Sequence, residues 1–222
     1  MSFLLKEIFA NFSLFGQILF LIALIICNHD KISRIEWYTI SIILFYIAVD
    51  LAAIILAKVV HNNMILYNTA LPLETLLVIS IYYPLFKSKA KKNAILITIP
   101  LLAIFFIADI VFYSGLENWN VFALICGLMV SSVFIYMYLK QEVENIHARP
   151  QDNFIFWFSS GMLLDNCGSS PMFSVYQWIG DIRPDLGNDL LRITVMVIYL
   201  LFFLIVTFGL LWTKRLGMLR SS

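Results

Sequence analysis

The chain reads as an all-α polytopic membrane protein, a bundle of seven transmembrane helices, and three observations carry that reading. Of its 222 residues, 61% are hydrophobic and 13% charged, against about 45–50% and about 25% in soluble domains. The apolar residues gather into seven stretches of membrane-spanning length, since about 30 Å of hydrocarbon takes about 20 helical residues. The lysines and arginines divide unequally between the two sets of connections, and that bias orients membrane helices.

The stretches cover approximately residues 8–27, 37–60, 64–86, 94–114, 121–139, 154–175 and 190–213. No small-residue cleavage site follows the first, so it reads as a retained helix and not a signal peptide. The connections are short and polar, and none has the composition of a folded soluble domain. Residues 1–222 are therefore expected to form a single seven-helix transmembrane domain. Between the third and fourth stretches, Lys87-Ser-Lys89-Ala-Lys91-Lys92 is the densest basic connection, which makes it cytoplasmic. Lys31, Arg34, Lys140, Arg149, Lys214, Arg215 and Arg220 then share its side, while Lys6, Lys58, Arg183 and Arg192 lie opposite. Eleven against four predicts an outside N-terminus and a cytoplasmic C-terminus, in a multi-pass protein of the cell (inner) membrane. The segment 180–187, with Pro184 between two glycines, is expected to form an external loop. Trp119, Trp157, Trp178 and Trp212 fall near span ends, where an interfacial aromatic belt would place them.

Four acids stand inside these apolar stretches: Asp50, Glu74, Asp109 and Asp165. A charged side chain at a helix centre costs about 2.5–3.5 kcal/mol on insertion scales, so such residues turn inward and mark function. In the predicted orientation Asp50 and Glu74 lie near mid-depth, Asp109 and Asp165 in the outer half. Gln17 and Asn68 belong to the outer parts of their helices, and Arg192 and Thr194 open the last one from outside. Helical spacing aligns Thr39, Tyr46 and Asp50 on one face, and Tyr67 with Glu74 on another. Asp165 aligns with Ser169, Asn166 with Ser170, and Arg192 with Tyr199. The candidate ligand-binding set is Tyr46, Asp50, Tyr67, Asn68, Glu74, Asp165, Asn166 and Arg192, with Asp109 expected to be a bystander nearest the interface. In the sixth stretch Gly161, Gly168 and Pro171 predict a kinked or broken helix, and Pro72 a distortion beside Glu74. The spacing of Gly127 and Ser131 reads as helix packing.

Several functions are excluded. A net charge of +1 argues for no nucleic-acid partner. Cys27, Cys126 and Cys167 have no paired spacing and read as packing residues. The histidines at 29, 61 and 147 lie in connections on both sides, so no zinc site is built from them. A carboxylate-only site at Asp50, Glu74 and Asp165 is the one metal arrangement left open, oxygen ligands suiting hard cations. The last stretch has no lysine between Arg192 and Lys214, which removes a retinal Schiff base. No nucleophile–base pair and no phosphate-cradling glycine loop is present, so no catalytic residues, metal or cofactor are expected and an enzyme is not favoured. Four acids face one buried cation, Arg192, with His61 at the rim. Either some acids are neutral, or the cavity takes a cation or protons.

Asp50, His61-Asn62-Asn63, Leu66-Tyr67, Glu74 and Phe156-Trp157-x-Ser-x-Gly161-x-Leu163 with Gly168 resemble an uncharacterised family of small seven-helix integral membrane proteins of Bacteroidota. The likeness spans the second to sixth helices. Its members often stand beside sensory histidine kinases, which implies a sensory role. Asn68 stands where that family usually has histidine, and Asp165-Asn166 replace tyrosines, so the resemblance implies the fold more than the chemistry.

Two functions are compatible with the pattern. One is a receptor-like membrane sensor, an outward acidic pocket for a small ligand whose occupancy a cytoplasmic or membrane signalling partner reads. The other is a small transporter or proton- or cation-coupled channel using Asp50 and Glu74. A conduction path needs polarity through the inner half, where Thr39, Ser41, Ser131 and Ser132 are the main candidates. That sparseness favours the sensor, whose remaining partner is the bilayer itself.

Overall fold

The computed structural model describes the backbone of residues 12–27, 32–59, 64–116, 120–145, 149–182 and 184–220. Side-chain surroundings are described over the same residues except 12, 64, 114, 176–182, 184–192 and 215–220. Among the described residues there are seven α-helices and no strand: α1 (Phe12–Ile26), α2 (Arg34–Val59), α3 (Met64–Leu85), α4 (Lys89–Asp109), α5 (Val121–Val143), α6 (Phe154–Ile182) and α7 (Pro184–Arg220). A π-helical turn, Ile110–Ser114, continues α4, and a 3-10 turn, Pro150–Asp152, precedes α6. Helices α2, α3, α4, α5 and α7 are long and apolar enough to cross a membrane, whereas the apolar part of α1 covers 14 residues, Ser13–Ile26. The chain is thus all-helical, with the spans of a multi-pass membrane protein. Leu96, Ile97, Leu101, Ile104 and Ile107 of α4 are each more than half exposed, a surface that suits hydrocarbon and not water.

Helix ends differ from the apolar runs for local reasons. The second helix begins at Arg34, ahead of the expected 37, because Ser33 and Glu36 form a capping box. The Glu36 N–H donates to Ser33 Oγ at 3.2 Å, and the Ser33 N–H donates to Glu36 Oε2 at 2.7 Å. Two of the helix's unpaired donors are thereby satisfied. The fourth helix begins at Lys89 and not 94, so most of the basic connection is helix, and only residues 86–88 link α3 to α4. The Lys92 N–H donates to the Ser88 carbonyl at 3.2 Å, and the ammonium groups of Lys91 and Lys92 sit 5.2 and 5.7 Å from the Phe86 and Tyr83 ring centroids. Gly115 closes the π turn at φ +67°, a conformation other L-residues adopt at a cost.

The expected external loop at 180–187 is corrected. Helix α6 continues to Ile182 and α7 starts at Pro184, with Arg183 outside the described residues. Proline suits the first helical position, where its missing N–H costs nothing. Of the expected kink or break in the sixth helix, the break is corrected, since α6 runs uninterrupted through Gly168 and Pro171. A proline removes one backbone donor, and neighbouring groups in a bundle can take up the freed carbonyl.

Two compact units divide the chain, one of residues 1–36 and 135–222 and one of residues 37–134. In the first, α6 and α7 pack antiparallel through glycines. A methyl built on Gly168 would meet Ile198 at 2.7 Å, one on Gly161 would meet Phe202 at 3.1 Å, and one on Gly209 would overlap the Trp157 side chain. The partners descend along α7 as they rise along α6, which is an antiparallel register. Gly16 admits Phe203 to α1 in the same way.

In the second unit, α3 and α5 run parallel. Asn68 lies beside Asn120, Thr75 beside Gly127, and the Phe86 and Phe134 rings are 6.5 Å apart. Gly127 also receives Phe106 of α4, so its packing role is borne out. Tyr38 of α2 and Ser80 of α3 share a hydrogen bond of 2.8 Å.

Candidate functional site

Seven of the sequence-predicted residues have described side chains, and they divide between the units. Tyr46, Asp50, Tyr67, Asn68 and Glu74 belong to the second unit, and Asp165 and Asn166 to the first. The Arg192 side chain lies outside the described residues, as do His61 and Trp119, and the side chain of Trp178.

In the second unit the polar groups concentrate where α3 and α5 begin. Asn68 is 4% exposed; its Nδ2 donates to the Leu116 carbonyl at 2.9 Å, and its Oδ1 accepts the Asn120 N–H at 3.4 Å. Asn120 Oδ1 in turn accepts the Ala123 N–H at 3.3 Å, the geometry of an N-cap on α5. One asparagine of α3 therefore ties down both the end of the π-turn segment and the cap of the next helix. The Asp50 carboxylate lies within electrostatic reach of the Tyr67 phenol, so α2 and α3 bring these two predicted residues together. Tyr46 is buried one turn before Asp50, and Glu74 is half-buried seven residues after Tyr67.

Tyr67, Asn68, Pro72 and Thr75 of α3, Phe106 of α4 and Asn120 with Ala123 at the start of α5 line a cleft of about 10 Å³, room for about one water molecule. Pro72 has no N–H to donate within α3. Thr75 does not add a donor, because its hydroxyl donates to the Leu71 carbonyl at 3.0 Å.

Toward the opposite end of this unit the buried side chains are mostly apolar. Val78, Ile79, Ile81, Tyr82, Phe86 and Ile95 are buried. Here the Ser41 hydroxyl donates to the Trp37 carbonyl at 2.9 Å, and the Ser131 and Ser132 hydroxyls donate to that of Leu128 at 3.0 and 2.7 Å. Such bonds satisfy the hydroxyl donors within their own helices.

In the first unit Ser169 Oγ donates to Asp165 Oδ1 at 3.3 Å, as their spacing predicted. Asn166 is 1% exposed and Ser159 fully buried. At the far end of α7, Lys214 Nζ lies 3.0 Å from both carboxylate oxygens of Glu36.

Asn120 and the Ser33–Glu36 pair were not among the candidates but have structural signatures. Asn120 stands directly before an apolar run, and Ser33-x-x-Glu36 is a capping-box spacing; both are legible patterns. Asp109, expected to be a bystander near the interface, is 7% exposed and within electrostatic reach of Cys126; the π turn that follows it gave no advance signal. Among the described residues no three His, Cys, Asp or Glu side chains gather as a metal site. No known protein family, curated protein or solved structure matches this chain.

Proposed function

We propose that the chain is a receptor-like sensory module of the cell inner membrane, with seven spans, an outside N-terminus and a cytoplasmic C-terminus. A small ligand reaches its acidic, outward-facing polar residues, and a signalling partner reads the response on the cytoplasmic side. The observation that carries this reading is the asymmetry of the second unit. Asn68, Asn120, Tyr67 and Asp50 lie toward the end at which α3 begins, and buried aromatic and aliphatic side chains fill the other. A pathway for ions needs polar groups at every depth, whereas a receptor needs them at one mouth. The cleft admits about one water, so a larger ligand requires the starts of α3 and α5 to part, and that movement is the signal. The transporter alternative rests on Asp50 and Glu74 as a coupling pair; the mostly apolar packing of the other end, where Ser41, Ser131 and Ser132 donate within their own helices, weighs against it.

Single cysteines at positions 50, 74 and 165, in a background lacking Cys27, Cys126 and Cys167, test both readings. A membrane-impermeant thiol reagent applied to intact cells and to inverted vesicles reports the accessible side. The sensor predicts labelling at 165 and at the mouth from outside alone. Labelling from both sides at 50 or 74 would make the protein a transporter, and labelling from neither would remove the pocket.

A further inference from the structure

We propose that the α3–α4 turn is a binding surface for the headgroups of anionic phospholipids. Lys87, Lys89, Lys91 and Lys92 lie within six positions, and no acidic residue occurs between Glu74 and Asp109. Lys87 and Lys89 are exposed. Lys91 and Lys92 rest over the Phe86 and Tyr83 rings, which holds their ammonium groups beside the last turn of α3. Only residues 86–88 separate the helices. All four charges therefore stay at the level of the helix ends, where a membrane-spanning hairpin meets the headgroups, and half-exposed Tyr83 is the aromatic neighbour such a level favours. An acidic cytoplasmic protein would need the charges carried beyond the headgroups, and three residues do not carry them there. Lysine suits the partner: its ammonium is a compact point charge that binds phosphate without demanding a fixed fork geometry, and its stem lies along apolar surface while the head stays wet. Near an anionic leaflet each lysine strengthens attachment about fivefold. The proposal does not depend on whether the second unit binds a ligand.

The test uses the full chain in phosphatidylcholine nanodiscs, with spin-labelled phosphatidylglycerol or spin-labelled phosphatidylcholine as the probe of lipid held at the protein. Wild type is expected to hold phosphatidylglycerol several-fold more tightly than phosphatidylcholine, with the preference falling as ionic strength rises. K87Q/K89Q/K91Q/K92Q is expected to lose the preference, while the corresponding four-arginine variant and K140Q keep it. Equal retention of the two lipids by wild type, or a preference indifferent to salt, overturns the proposal without reference to any variant. So does a preference that survives the four-glutamine substitution. Displacement of the labelled lipid by free glycerophosphate would assign the surface to a soluble anion, and displacement by polyglutamate to an acidic protein; either result overturns the lipid assignment.

Discussion

The contact between Lys214 and Glu36 offers a quantitative test of how the last helix is anchored. Lys214 Nζ is 3.0 Å from Oε1 and from Oε2 of Glu36, and the two side chains are 13% and 14% exposed. Exposed ion pairs contribute about 0.2–1 kcal/mol, while removing one member of a buried pair costs about 3–5 kcal/mol because a charge is left behind. At this intermediate burial, Lys214→Met should cost about 2–3 kcal/mol by the same two limits. Glu36→Gln should cost less, about 1 kcal/mol, because the amide oxygen still accepts hydrogen bonds from Ser33 N–H or Lys214, and the long lysine stem lets the ammonium reach water. The double variant Glu36→Gln/Lys214→Met should then be more stable than Lys214→Met alone. Reversible unfolding in mixed micelles with rising dodecyl sulfate, followed by tryptophan fluorescence, reports all three; Trp212 stands two residues from Lys214. A double variant whose loss equals the sum of the single losses would refute the coupling.

Three further outcomes follow from named contacts. Asn68→Ala should destabilise by about 1–3 kcal/mol, since it leaves the Leu116 carbonyl and the Asn120 N–H without their partner, and Asn120→Ala by about 1 kcal/mol through the lost cap; the same unfolding assay ranks them. Gly209→Ala should cost about 1–3 kcal/mol by overpacking Trp157, and more than Gly127→Ala, whose methyl would stand 3.0 Å from a ring edge of Phe106. A reversed order would mean that Trp157 yields easily. Ser33→Ala should remove about 1 kcal/mol and shorten α2 at its start, visible as faster amide exchange over 34–37 with the centre of the helix unchanged.

The fold class was legible because it depends on local quantities. Apolar runs of membrane length, broken by charged connections, specify helices wherever the backbone must satisfy its own hydrogen bonds. Helix existence was therefore readable for all seven, and five carry the length and hydropathy of spans. Boundaries were less legible where side chains overrule composition. Ser33 and Glu36 cap α2 at its earlier start, α4 takes in the lysines from Lys89 onward, and Pro184 opens a helix where a proline and two glycines suggested a loop.

Of the candidate site, the alignment of Asp165 with Ser169 was readable because residues four apart share a helix face. The nearness of Asp50 to Tyr67 was not legible, because periodicity aligned Asp50 with Tyr46 and Tyr67 with Glu74, each within its own helix. Asn68 was picked out for its polarity in an apolar run, yet the groups it holds, Leu116 and Asn120, lie 48 and 52 residues away. Composition and periodicity thus settled that this chain is helical and made for a bilayer. Tertiary packing alone decided which glycines admit which rings, which asparagine ties two segments together, and that Lys214 meets a carboxylate 178 residues distant. Periodicity acts through neighbours along the chain. Choosing a partner across a bundle depends on shape and on satisfying buried polar groups, and a linear pattern holds neither.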